Sequence, residues 1–321
     1  NRVAFSQDES LVATASQDRT VQIRNVETGE LACQELQHAM PVWGCAFEND
    51  GTRIATASGS GLTGQLQIWS TQTGERLGDP IKFAANPFSV TWTPNNNLAV
   101  YTMGFGSAGF TVAEQLSIYD PNTRQLLHSM PFDMMGEPTL DSNFVHKKSG
   151  LFLQVQPEAT DKGNARILHF DSGEVISTLR QAQPIIGATF NHDGTRIATA
   201  TQDQIVVWNT ATAEQLLVVT PEQFKEAGID SNPAILMRFS PDSKSITAIK
   251  RDQVFSIDQQ GELSFVNQTG VIDLSAAAIS PCATWIAIAD GEANLRLWDV
   301  RAGRFEPFSM KHSATVASIN F

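Results

Sequence analysis

The sequence predicts an all-β fold, a seven-bladed β-propeller of four-stranded antiparallel blades, and three observations predict it. An apolar strand ending in an aromatic residue or Ile recurs seven times, at Phe5, Phe47, Trp92, Phe144, Phe190, Phe239 and Ile279. Turn residues mostly follow it, as in FSQD, FEND, WTPN, FNHDG and FSPDS. A third strand closes at Arg24-Asn25, Trp69-Ser70, Tyr119-Asp120, Phe170-Asp171, Trp208-Asn209, Ile257-Asp258 and Trp298-Asp299. A unit of roughly 40–50 residues carrying such strands is the signature of stacked blades, because one small sheet cannot bury both of its faces alone.

Each element has its own reason. The innermost strands (CAF, SVTW, GATF, ILMRF, AAAI) are nearly continuous small and apolar residues, as in a strand covered on both faces. The second strands (LVATAS, RIATAS, RIATAT) mix branched, small and hydroxyl side chains that suit the pleat. The turns after the third strands (ETGEL, TQTGERL, DSGEVI, VRAGRF) are rich in Gly, Asp and Thr and feed an outer strand. The 321 residues would ordinarily suggest about two domains, but mutually dependent blades make one propeller over 1–321 the economical reading. The chain begins in mid-strand at Asn1, without Met or a signal segment, and is read as a piece of a longer polypeptide. This leaves the compartment open, with the cytoplasm favoured.

Charge and motifs exclude several functions. A net charge of -12 argues against a nucleic-acid partner, whose phosphates draw on clustered Lys and Arg. No apolar run approaches the ~18 residues of a membrane span. Cys33, Cys45 and Cys282 are widely spaced, include no C-x-x-C and read as buried reduced thiols, so no metal is expected. GSGLTG (59–64) and GFGSAG (104–109) both satisfy G-x-G-x-x-G, but a strand follows each, whereas a dinucleotide site needs a helix N-terminus there. They read as hairpin insertions, and no cofactor is implied. There is no H-E-x-x-H, no G-x-S-x-G and no P-loop.

At PVWGCAFENDGTRIATAS, IIGATFNHDGTRIATATQDQIVVWN and LRLWDVRAG the chain resembles the WD-repeat family, and the likeness extends over nearly all of it. That resemblance implies a hydrogen-bonded brace within a blade: a His ahead of the inner strand, a Ser or Thr ending the second, an Asp in the tight turn and the Trp. The matching positions are His38 and His312 (nine before Phe47 and Phe321), Ser16, Ser58 and Thr201, Asp18, Asp203 and Asp252, and Trp69, Trp208 and Trp298. The blade from about 133 to 181 departs most, with Phe170 for Trp and no His. The wording ELQHAMPVWGCAF, DGTRIATAS and TGERLGDPI is similar to bacterial repeats attached to protein kinases or signalling NTPases, which implies a sensor or docking platform.

The repeat is stretched at about 59–65, 104–115 and 156–165, between second and third strands, and at the link 220–233, where Pro221 and Gly228 frame a helical turn. Loops on a rigid scaffold are where binding concentrates. The expected partner surface is therefore a top rim carrying Gly59, Gly61, Gly64, Gly104, Gly106, Glu114, Glu158, Asp161, Glu222, Glu226 and Asp230. Its acidity favours a protein or basic peptide. The reading is a non-catalytic interaction scaffold or sensor of a larger regulatory protein; the alternative is a propeller enzyme or sugar-binding lectin with a site at the central channel. Two segments compete to be the inner strand of the first blade, Arg2 to Phe5 and Thr315 to Phe321, and the longer C-terminal copy is favoured, with residues 1–5 displaced or only partly paired.

Overall fold

The computed structural model describes residues 2–105, 111–131, 145–155, 163–229, 235–250, 252–271, 274–280, 282–313, 316 and 319. Its strands form seven four-stranded antiparallel sheets spanning 2–37, 42–83, 86–131, 145–181, 187–219, 235–268 and 274–311, each ordered as in the sequence. These are the blades of a seven-bladed β-propeller. Among the described residues, helix is confined to one short α-helix, Pro221–Glu226, and a 3-10 turn, Lys147–Ser149.

The chain divides into two compact units, one of Asn1–Ser142, Lys147–Gln154 and Leu168–Glu174, the other of Asn143–His146, Val155–Ile167 and Val175–Phe321. In the first, one core cluster joins Ala13, Ile23 and Leu36 of blade 1 to Phe47, Ile54 and Trp69 of blade 2. A second joins Ala55, Leu66 and Ile68 of blade 2 to Val90, Trp92 and Val100 of blade 3. The second unit repeats this scheme between blades 5 and 6 and between blades 6 and 7. A blade is thus buried on both faces, which is why Ile54 to Ala57 are all buried although they alternate in direction.

The turn joining first to second strands is built alike in blades 1, 2, 5, 6 and 7. The N–H of the residue after the landmark (Ser6, Glu48, Asn191, Ser240, Ser280) donates to the carbonyl five positions on. Two positions on stands an Asp (Asp8, Asp50, Asp193, Asp242) whose carboxylate accepts the N–H of Ser10, Thr52, Thr195 or Lys244 and a neighbouring hydroxyl. These bonds favour the charged form and hold all four carboxyls below their ordinary range. The next residue is left-handed, and in blades 2 and 5 it is Gly51 (φ 74°) and Gly194 (φ 75°), which accept that conformation without strain.

Four expectations need correction. Arg2–Phe5 pairs with Leu11–Ala15, from Arg2 opposite Ala15 to Phe5 opposite Val12, and so it is not displaced. The hairpin closes over a few residues and is pinned by Ser6, Asp8 and Ser10, while most of the copy from Thr315 to Phe321 lies outside the described residues. The stretch 59–65 is not a loop, because Arg53–Ser60 and Thr63–Ser70 stay paired to a two-residue turn, Gly61-Leu62. Cys282 is exposed rather than buried. The inner strand of blade 4 is Val145–His146, and the landmark Phe144 lies outside the described residues.

Candidate functional site

In blade 2 the Trp69 indole N–H donates to Thr56 Oγ1 at 2.8 Å, and Thr56 Oγ1 lies 2.8 Å from His38 Nε2. His38 Nδ1 is 3.1 Å from the Leu36 carbonyl, which can only accept, so Nδ1 carries the proton and Nε2 accepts from the Thr56 hydroxyl. Burial favours that neutral ring and lowers the His38 pKa to about 4. The rings of His38 and Trp69 meet at 5.0 Å, and the Arg76 guanidinium covers the indole at 5.1 Å.

Blade 5 builds the same chain with one exchange. Trp208 Nε1 donates to Thr199 Oγ1 at 2.7 Å, and the Thr199 hydroxyl donates to Gln181 Oε1 at 2.7 Å. Gln181 stands nine positions ahead of Phe190, as His38 stands ahead of Phe47. The hydroxyls in both networks are two residues earlier than the expected Ser58 and Thr201. Ser58 Oγ is buried without a hydrogen bond. Thr201 instead meets its neighbour Asp203 at 3.4 Å, and Asp203 also accepts from Gln183. Asp18 caps Thr20 in an exposed turn next to Ser16, and the His312 backbone N–H donates to Ala293. Asp252 accepts from the Thr269 N–H through its own backbone carbonyl. In blade 7, Ile288 occupies the register of Thr56 and Thr199, which leaves the buried Trp298 Nε1 without an acceptor and its ring against Phe305 at 4.9 Å. The hydrogen-bonded brace is thus formed in blades 2 and 5 and is incomplete in blade 7.

The rim candidates fall into distinct environments. Gly59 and Gly64 are packing residues: a Cβ at Gly59 would collide with Asn86 Oδ1, and one at Gly64 with Pro87 Cδ. Gly61, at φ 62° in the hairpin turn, is exposed, and a Cβ there would meet nothing within 4 Å. Gly104 and Glu114 belong to the paired strands Leu98–Phe105 and Thr111–Tyr119. Gly106, Glu158, Asp161 and Asp230 lie outside the described residues. Glu222 and Glu226 are exposed one turn apart on the α-helix.

That helix is firmly held. Thr220 caps it through a capping box with Gln223, and Pro221 occupies its first turn. Phe224 is buried in the core of blades 5 and 6 and meets Phe255 edge-on at 5.9 Å, with the Lys250 ammonium 5.1 Å from its ring. Ile229 is buried beside it, and Gln223 reaches the Gly261 carbonyl.

Cys282 occupies in blade 7 the turn position that Asp holds in blades 1, 2, 5 and 6. The hydroxyls of Ser280 (3.3 Å) and Thr284 (2.8 Å) flank it and lower its thiol to about 7. Among the described residues no group of three or more His, Cys, Asp and Glu side chains is gathered for a metal, and no helix is long and apolar enough to cross a membrane.

Residues 1–25 and 32–70 match the family described as WD domain, G-beta repeat. Among solved structures the chain is similar to the C-terminal WD40 domain of Sif2, with TM-score 0.67, 15% identity, and coverage of 98% of this chain and 88% of that one. The two findings support a WD-repeat β-propeller. The computationally designed Ika8 protein (TM-score 0.62, 14% identity, 99% and 89% covered) and BamB from Moraxella catarrhalis (0.64, 13%, 100% and 88%) share the fold. WD40 propellers are typically protein-interaction scaffolds and generally non-catalytic.

Proposed function

We propose that this chain is a non-catalytic protein-interaction module, the sensor or docking part of a larger regulatory protein of the kinase or signalling-NTPase type, and that it receives a basic peptide on the exposed face of the Pro221–Glu226 helix. The observation that supports this most is the way the helix is anchored. A neutral insertion needs no buried aromatic, whereas Phe224 and Ile229 fix this link in the core while Glu222 and Glu226 remain in solvent. A fixed pair of carboxylates one turn apart meets a Lys or Arg side chain with little ordering cost, and rim charges of this kind act mainly on association rate and its salt dependence.

The test uses a Lys/Arg-rich peptide of about twelve residues and a Gln-substituted control, measured by fluorescence anisotropy at low and physiological salt. Binding of the basic peptide alone, at least tenfold weaker in Glu222→Lys/Glu226→Lys and with a smaller salt dependence, is the expected result. Equal binding by that double variant would overturn the proposed surface.

A further inference from the structure

Blades 2 and 5 share one hairpin, FENDGTRIATA (47–57) and FNHDGTRIATA (190–200), and Arg53 and Arg196 stand at the same register in it. Arg53 is fully satisfied within the chain. Glu48, 3% exposed, takes Nε and Nη2 at 2.6 Å each, Asn122 takes Nη1 at 3.0 Å, and the Trp92 ring lies 5.1 Å beneath the guanidinium.

Arg196 has lost each of these partners. Asn191 replaces Glu48, and its amide is fully used: Oδ1 accepts the Arg196 N–H at 2.9 Å, and Nδ2 donates to Thr195 and Ser243. Phe239 ends the neighbouring inner strand where Trp92 does beside blade 2. Among the described residues the Arg196 guanidinium makes no hydrogen bond and no close ion pair; its charge acts on the nearby Asp193 carboxylate and, after the hydrogen bonds of Thr195, helps to hold that group below its ordinary range. A cavity of about 280 Å³ opens at this point, lined by Arg196, Asn191, Thr195, Pro241 and Gln259. Asp193 and Asp242 also border it, each engaged through Oδ1 in its own turn.

We propose that this cavity is a docking site for one Asp or Glu side chain of a partner polypeptide, with Arg196 receiving from outside the bidentate carboxylate contact that Arg53 receives from Glu48. Planar guanidinium and carboxylate groups match in this geometry, and such charge-assisted pairs are about twice as strong as neutral ones. The volume lies just under the ~300–1,000 Å³ of small-molecule pockets, which suits a single side chain. The two bordering carboxylates repel any anion, and more strongly the more charge it carries, so a single carboxylate paired directly with Arg196 is disfavoured less than a phosphate backbone. The site is independent of the helix face proposed above.

The test is 15N NMR of the arginine Nε–H signals in the whole chain, titrated with acetyl-Gly-Glu-Gly-amide and with its Gln analogue. A saturable shift of Arg196 with the Glu peptide, at least tenfold weaker with the Gln peptide and with Arg53 unchanged, is expected. Asn191→Glu should move the Arg196 signal without peptide and abolish the response. In Arg196→Gln, the backbone amides of Thr195 and Ser243 should no longer respond to the Glu peptide, which decides the question even if Asn191→Glu does not fold. No saturable Arg196 shift, an equal response to the Gln peptide, or amide shifts that persist in Arg196→Gln would each overturn the site.

Discussion

Blades 2 and 5 differ little over their first two strands, yet one is closed by charge and the other by neutral amides. In blade 2, Thr56 links Trp69 to a histidine and Arg53 is clamped by Glu48; in blade 5, Thr199 links Trp208 to a glutamine and Arg196 has no carboxylate within hydrogen-bonding reach. The Thr–Trp pair and the turn geometry belong to the shared sequence, because they follow from strand register and from a left-handed glycine. The third partner is supplied by an outer strand or its link, which the shared stretch does not constrain. A propeller can therefore keep its blade frame and vary the charge state of each blade separately.

The largest expected effect tests the shared part. Trp69→Ala and Trp208→Ala each remove a buried indole and the hydrogen bond it donates to a buried threonine, and each should cost ~3–5 kcal/mol by urea denaturation. Similar costs are expected in both blades, and a near-neutral Trp208→Ala would break the equivalence. The arginines should then diverge. Arg53→Ala leaves Glu48 buried and unpaired, at about 3 kcal/mol, whereas Arg196→Ala should fall within about 0.5 kcal/mol of the parent. Equal losses would mean that Arg196 is satisfied within the chain.

The pH response should separate the blades further. The His38 pKa is lowered from 6.5 to about 4 by folding, so as pH falls the unfolded chain takes up the proton first. The stability due to neutral His38 is complete above about pH 6.5 and is lost progressively towards pH 4, up to about 3 kcal/mol. The turn carboxyls lie below their ordinary value of 3.8, so the stability they contribute is lost at lower pH. His38→Gln, which copies blade 5, should flatten the curve between pH 6.5 and 4 and leave the acid limb below it. An unchanged slope in that variant would show that His38 is not the titrating group.

The blade frame was legible in the sequence because its causes are local: an apolar inner strand, a turn with Asp and Gly, and an aromatic closing the third strand. The brace was legible only in part. Ser58 and Thr56 share one side of the strand, as period-2 geometry requires, and only the register placing Ile54 opposite Trp69 decides which hydroxyl meets the indole. Gln181 was within reach through its nine-residue offset from Phe190, but a search for histidine passes over an amide that accepts the same hydrogen bond. Glu48 against Asn191 was visible as a substitution. That a cavity opens there depends on Pro241, Asp242 and Gln259 of the adjoining blade, which no local pattern reports.

The most direct measurement is an NMR titration of the His38 ring in the folded chain, alongside the variant Gln181→His. Between pH 7 and about 4 the expected result is one neutral imidazole with the proton on Nδ1, charging only at about pH 4, and the same tautomer for the imidazole that the variant introduces beside Thr199. Charging of His38 near its ordinary 6.5 while Trp69 and the fold stay intact would contradict a brace in which Thr56 donates to a neutral histidine.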